Sequence, residues 1–521
     1  MSESDDIRTA GPAQAQRSGD ASGGATDAEI RAVYLALMAV LGLGALDQSI
    51  VATALPRIVT DLGGMAHLSW VVTAYVLAST VTMPLYGKLA DQYGRRPLIF
   101  IALATFLAGS VLCGLAQDMT QLIIFRAIQG LGAGGFMPLS QIIIGDLVPP
   151  AERARRQGMI PVVFAVTSIL GPVLGGIITD LLSWHWIFYV NLPIGALAFR
   201  AIARSLHKPV QTHAHRIDYL GSFLLTGSLT ALLLVLALGG TEWQWDSPEV
   251  SICLALAAVQ GAVLLWHVRR AAEPVLPPDL FHDKTFNIAS LVMALTFTGL
   301  MGASTFFPLF FQAVMGSSPA KSGLLTVAMM VGLICSSMLN GRVIARSGKY
   351  KGVQVAGLAA ATLAFLVLAW AMETSRGYLL IEPAIFLLGG GLGLVMPNMT
   401  VAVQNALPLA RRGVGTAMLT FFRSLGGLLG VTGSGAILAH QLHMHGMQAI
   451  AVAGGGHGGG PAATAAGAAL SAAQAAAQVA VYRHAIASIF AAGGLMVGLG
   501  LLALFFLPEL PLAGHAPVKR D

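Results

Sequence analysis

Between residues 32 and 507 the chain is a succession of apolar runs, each about twenty residues long, parted by short polar stretches. Wound as a helix at about 1.5 Å per residue, such a run crosses the roughly 30 Å hydrocarbon layer of a bilayer. Fourteen are read, near 32-55, 68-87, 97-116, 119-145, 157-179, 186-204, 218-239, 249-268, 286-312, 323-345, 353-372, 379-402, 413-438 and 484-507. A chain of 521 residues with 55% hydrophobic and 10% charged residues carries more apolar surface than a soluble globule, where about a quarter of residues are charged. Backbone amides in lipid have no water to bind, so the spans are helices rather than strands. The expected fold is an all-α membrane protein of fourteen transmembrane helices.

Charge placement orients it. Of the 30 Lys and Arg residues, 24 fall in loops and tails assigned to the inner side, and Arg57, Lys321, Arg376 and Arg483 fall outside. The positive-inside bias puts both termini in the cytoplasm. This topology accounts for the net charge of +6 without a nucleic-acid partner. Residues 1-30 lack the basic start and cleavage site of a signal peptide and read as a disordered cytoplasmic tail, with a second tail at 511-521. The three cysteines, Cys113, Cys253 and Cys335, lie within apolar runs and imply neither a disulfide framework nor a metal site.

A polar hinge at 87-97, Gly87-Lys88-Leu89-Ala90-Asp91-Gln92-Tyr93-Gly94-Arg95-Arg96-Pro97, parts two of the runs and recurs in degenerate form at 341-351. Gly87, Gly94 and Arg95 match Gly341, Gly348 and Lys349 at an offset of 254. Gly171 and Gly175 match Gly426 and Gly430 at 255, and Met137-Pro138 with Pro149 match Met396-Pro397 with Pro408 at 259. Three motifs sharing nearly one offset divide the chain into two six-helix parallel repeats, helices 1-6 and 9-14, with helices 7-8 inserted. The expected domains are 31-208, a linker pair 209-272, and 273-510 with an outer loop 440-482. Parallel repeats imply a pseudo-twofold axis along the membrane normal and a substrate path between the halves.

The hinge resembles the loop 2-3 signature of the major facilitator superfamily. Leu46-Asp47-Gln48-Ser49-Ile50-Val51, Arg126-Ala127-Ile128-Gln129-Gly130, Gly171-Pro172-Val173-Leu174-Gly175-Gly176 and Trp184-His185-Trp186-Ile187-Phe188-Tyr189-Val190-Asn191-Leu192-Pro193 resemble further motifs of that family. With fourteen helices the whole is similar to its drug:proton antiporter group, over roughly residues 30-510. The resemblance implies that Asp91, Arg95 and Asp146 form a cytoplasmic cluster latching the halves in an outward-open state. It also implies that Gly171, Pro172, Gly175 and Gly176 form a conformational element in helix 5.

Asp47 is the one acid deep inside an apolar run, and a carboxylate there costs a few kcal/mol. Desolvation favours the protonated form of such a group, so its charge can follow access from either side. Arg126 lies in the same layer, both residues being roughly 12–14 Å from the outer ends of their helices. The pair is expected to handle protons, with Arg126 holding Asp47 ionised when close. Ile385 stands where the repeat would repeat Arg126, and Ala345 where it would repeat Asp91, which confines proton handling to the first half. Glu382 is a second acidic candidate near the outer end of its helix. Gly87 and Gly94 permit close approach and a tight reversal, while Arg95 or Arg96 pairs with Asp91. Arg423 lies near mid-membrane without an evident partner. His440, His443, His445 and His457 lack nearby acids or cysteines, so no metal is expected and an amphipathic hairpin is the better reading.

These residues predict proton-coupled secondary active efflux of hydrophobic or cationic drugs across the cytoplasmic (inner) membrane by alternating access. The partners are those small substrates, protons, the lipid bilayer and a periplasmic adaptor. The alternative is an exporter or flippase for one metabolite, antibiotic or lipid on the same scaffold. No cofactor is expected and the proton gradient supplies the energy, because the chain lacks a GxxxxGK[ST] phosphate loop. It lacks HExxH and GxSxG as well, so an enzyme is not expected.

Overall fold

The computed structural model describes residues 27-63, 67-205, 218-239, 242-271, 273-347, 350-374, 377-444 and 472-509. They form seventeen α-helices. In the first half these are α1 (Asp27–Leu62), α2 (Leu68–Tyr93), α3 (Arg95–Gly114), α4 (Met119–Ala133), α5 (Phe136–Leu147), α6 (Pro150–Gln157), α7 (Ile160–Leu181), α8 (Trp186–Tyr189) and α9 (Asn191–Ser205). Next come α10 (Tyr219–Leu238) and α11 (Pro248–Val268). The second half holds α12 (Lys284–Leu309), α13 (Pro319–Ser347), α14 (Lys351–Glu373), α15 (Tyr378–Ala406), α16 (Arg412–Met444) and α17 (Ala472–Phe505).

By length and composition, thirteen helical segments can cross a membrane, with α4 and α5 forming one of them. The remaining expected span is α2. It is 26 residues long, but Ser, Thr, Tyr and Pro residues lower its apolarity. Its packing explains them: Tyr75, Ser79 and Thr80 are buried, and a Cβ at Gly130 or Gly134 of the α4–α5 span would collide with α2 backbone.

Several expectations shift. The first helix starts at Asp27, inside the tail expected at 1-30, and the rest of that tail lies outside the described residues. The run 119-145 is two helices, because the chain turns at Gly134-Gly135, where any side chain would meet α2 or α3. Helix α7 continues through Pro172 without a break. Helices α16 and α17 reach to Met444 and from Ala472 into the loop expected at 440-482, and His445 and His457 lie outside the described residues.

Each half has its own apolar core, Val33 to Ile202 in the first and Leu280 to Leu507 in the second. Helices α1 and α7 meet through small residues: Gly171 sits against Ser49, which donates to the Thr167 carbonyl at 3.1 Å, and Gly175 sits against Thr53. Helices α12 and α16 pack in the same manner. Gly426 and Gly430 sit against Ala294 and Thr298, and Thr298 donates to the Gly426 carbonyl at 3.0 Å. Gly176, by contrast, has nothing within 4 Å of a Cβ position and takes no part in the close approach.

Helices α10 and α11 form a hairpin beside both halves. Thr432 of α16 donates to the Leu236 carbonyl of α10 at 2.5 Å, and Trp70 of α2 donates to Glu242 at 2.9 Å. Asp218 ties the other end of the hairpin, accepting from the Gly221 amide at 2.8 Å and the Val275 amide at 3.1 Å and bonding His267 at 2.7 Å. Burial alone would raise the Asp218 carboxyl, but those bonds outweigh it and hold it below the usual carboxylate range.

Candidate functional site

Four helices of the first half aim polar side chains at one point. Asp47 comes from the middle of α1, Ser110 from α3, Arg126 and Gln129 from one face of α4, and Asn191 from the first position of α9. All five are at most 1% exposed. Gly109 makes this convergence feasible, since a Cβ there would overlap the Gln129 backbone.

The bonding is dense. Arg126 Nη1 donates to Asp47 Oδ2 and to Gln129 Oε1, each at 2.6 Å, and Nε donates to the Val71 carbonyl at 3.3 Å. Gln129 Nε2 donates to Asp47 Oδ1 and Ser110 Oγ at 2.8 Å, and Asn191 Nδ2 donates to the same two atoms at 2.8 Å. The Arg126 guanidinium also lies 4.1 Å from the Tyr75 ring centroid. The carboxylate therefore has three donors and a countercharge, which is what a buried charge needs to remain ionised. Asn191 Oδ1 is buried without a partner among the described residues.

The depth argument paired Asp47 with Arg126, and the two are in direct contact. They are enclosed within the first half. Sequence reasoning missed Gln129, Ser110 and Asn191 as site members. Gln129 and Asn191 stand within motifs already singled out, and the available signal was a polar residue in an otherwise apolar run.

The hinge residues form a second constellation. Here the end of the bundle that carries them is the hinge face and the opposite end the far face. Gly94 has φ 90°, a conformation that favours glycine, and reverses the chain from α2 into α3. Arg95 bonds Asp146 at 3.0 Å and Asp91 at 3.1 Å and donates to the Ala90 carbonyl. Arg96 takes no part in this cluster. It donates to the Ala203 carbonyl at the end of α9, so of the two arginines offered for Asp91 the partner is Arg95.

Asp91 reaches across to the second half. Its two oxygens accept from the Gly413 amide at 3.1 Å and the Val414 amide at 2.8 Å, in the first turn of α16. A carboxylate there caps free amides and meets the positive end of the helix dipole. Gly87 lies directly against Ala417 and the Gly413 carbonyl, leaving no room for a Cβ. Nearby, Gln404 Nε2 donates to the Gln141 carbonyl at 3.0 Å, Gln157 donates to Gln404 at 3.2 Å, and Thr420 donates to Gln141 Oε1 at 3.2 Å. The halves are thus fastened together at the hinge face. Glu382 is exposed near the start of α15, toward the far face, with no ion pair among the described residues.

Two helical halves fastened at one face, spans of membrane length and a charge pair sealed inside one half define a polytopic membrane transporter. The chain belongs to the Major Facilitator Superfamily, whose family model matches residues 37–431. It is 39% identical over 402 residues to the multidrug transporter protein MdtP of Bacillus subtilis, covering 77% of this chain and 74% of that one. It is 37% identical to multidrug resistance protein 3 of the same organism, covering 79% and 80%. In fold it is similar to the proton:xylose symporter XylE, with a TM-score of 0.62 at 14% identity over 92% of this chain and 96% of that one.

Proposed function

We propose that the chain is a proton-coupled exporter of hydrophobic compounds, working by alternating access between two six-helix repeats, with α2 completing fourteen spans. The hinge face lies in the cytoplasm of a cell with an energised inner membrane, and both termini lie there too. The multidrug relatives support the export of drug-like molecules. The matched packing of α1 on α7 and of α12 on α16 supports the repeat.

The observation that carries proton coupling is the enclosed Asp47–Arg126 pair. A proton arriving on an Asp47 oxygen gives a neutral carboxylic acid and cancels the attraction to Arg126. The guanidinium is then held by Gln129 Oε1 and the Val71 carbonyl, which it already contacts. Asn191 Oδ1 is a free acceptor in the same cluster. The charge state of one buried site thereby alters contacts among α1, α3, α4 and α9, and such a differential contact is what couples binding to conformation. On this reading the fastened hinge face belongs to the outward-open state of the cycle, and the proton enters from the far face. A membrane potential contributes about 2.3 kcal/mol per charge per 100 mV.

The test is uphill efflux from energised inside-out vesicles across a chemical panel, with Asp47→Asn beside wild type. Wild type should concentrate substrate and lose that ability when the pH gradient collapses, and Asp47→Asn should only equilibrate it. Gradient-dependent uphill transport by Asp47→Asn would overturn the assignment.

A further inference from the structure

Arg423 is the other arginine in the middle of an apolar helix, eleven residues past the start of α16 and so about 16 Å from its hinge-face end. Arg126 is met by Asp47, Gln129 and the Val71 carbonyl. Arg423 makes no hydrogen bond or ion pair among the described residues. Its guanidinium lies over the Phe297 ring of α12, 5.1 Å from the centroid. An arginine at this depth costs a few kcal/mol unless it finds a partner or water, and a ring face returns only about 0.5–2 kcal/mol.

Helix periodicity shows which way it is turned. Thr416 and Thr420 precede Arg423 by seven and three positions and share its face. Thr420 donates to Gln141 of α5, and Thr416 accepts from Gln404, which itself donates to the Gln141 carbonyl. The adjacent Ser424 donates to Met83 Sδ of α2 at 3.7 Å. Arg423 therefore lies between the glycines of α16 that pack on α12, Gly426 and Gly430, and the residues that meet the first half, one turn beyond Thr420 toward the far face, and it is partly exposed. Among the described residues no acid of the first half pairs with it. Asp47 is sealed with Arg126, and Asp91 and Asp146 are held by Arg95 at the hinge face.

We infer that Arg423, on its Phe297 platform, is the recognition site for the acidic group of an amphiphilic organic anion, an aromatic carboxylate or sulfonate. The guanidinium fork matches an oxyanion with two parallel hydrogen bonds, while Phe297 stacks on the apolar body. A cationic substrate would meet a like charge at this point; the inference rests on the exporter reading and narrows its hydrophobic compounds to anionic ones, in place of the cationic drugs expected from the sequence.

Equilibrium binding in nanodiscs, with no gradient imposed, tests this separately from efflux and proton coupling. Fluorescein and rhodamine 6G share a xanthene ring system and differ in charge sign. Wild type should bind fluorescein at least tenfold more tightly, and benzenesulfonate but not benzyltrimethylammonium should displace it. Arg423→Gln should lose tenfold or more of the fluorescein affinity, and Arg423→Lys should restore most of it. Preference of the wild type for rhodamine 6G, displacement by the ammonium probe, or unchanged fluorescein affinity in Arg423→Gln would each overturn the assignment. The wild-type arms decide the matter even where the glutamine variant fails to fold. Vesicle efflux that fails while fluorescein binding persists would instead count against the exporter reading alone.

Discussion

Replacing the Asp47 carboxylate with an amide leaves the Arg126 guanidinium fully buried without its countercharge. Breaking one side of such a pair costs about 3–5 kcal/mol, whereas removing both charges is often close to neutral. Asp47→Asn should therefore lower the thermal unfolding midpoint of the purified protein, and Asp47→Asn with Arg126→Gln should recover most of the loss. Loss of transport in both variants with recovery of stability only in the double one would separate coupling from folding. Asn191→Leu removes one donor from Asp47 and one from Ser110 and should cost about 1–3 kcal/mol, measured in the same way. The pair was legible because an acid and an arginine deep in apolar helices at equal depth have few alternatives. Gln129, Ser110 and Asn191 were not, since a neutral polar side chain in a helix can also bond its own backbone turn, and nothing in a single chain says which it does.

At the scale of elements, thirteen spans were readable from apolar run length, and α2, with its buried Tyr75, Ser79 and Thr80, was not. Breaks and contacts depend on neighbours and were not. Gly134-Gly135 interrupts the run 119-145 because α2 and α3 press on it, and Pro172 leaves α7 continuous although proline is a common source of kinks. Gly87 shows a contact deciding a residue: with Ala417 and the Gly413 carbonyl against it, Gly87→Val should force α2 from α16. A cysteine placed at Gln157, on a background without the three native cysteines, should then react several-fold faster with a membrane-impermeant thiol reagent. The α10–α11 hairpin has its own chemical signature. Asp218 titrates lower in the folded chain than in the unfolded one, so its contribution is full above the unfolded value and disappears as pH falls through the folded one. Hydrogen-exchange protection across Tyr219–Leu238 and Pro248–Val268, taken relative to the intrinsic exchange rate at each pH, should hold at neutral pH and fall only below about pH 4. Asp218→Asn should remove that acid-dependent step.

For the whole molecule, the two halves differ in what they hold. The first seals its charges in a bonded cluster, and the second carries Arg423 over an aromatic ring with no countercharge among the described residues. The offsets near 254–259 led to the expectation of a repeat, yet they could not show that Asp91 caps a helix of the opposite half, because that bond joins positions more than 320 apart. Capping is weak chemistry, about 0.5–2 kcal/mol for a side chain at a helix start, equivalent to a roughly two- to thirtyfold bias at room temperature. The cap is one of several weak bonds across that face, beside those of Gln404, Gln157 and Thr420. On the exporter reading proposed above, the halves part when these bonds let go together, as a zip does rather than a bolt, and a charge and a cargo decide whether it closes again.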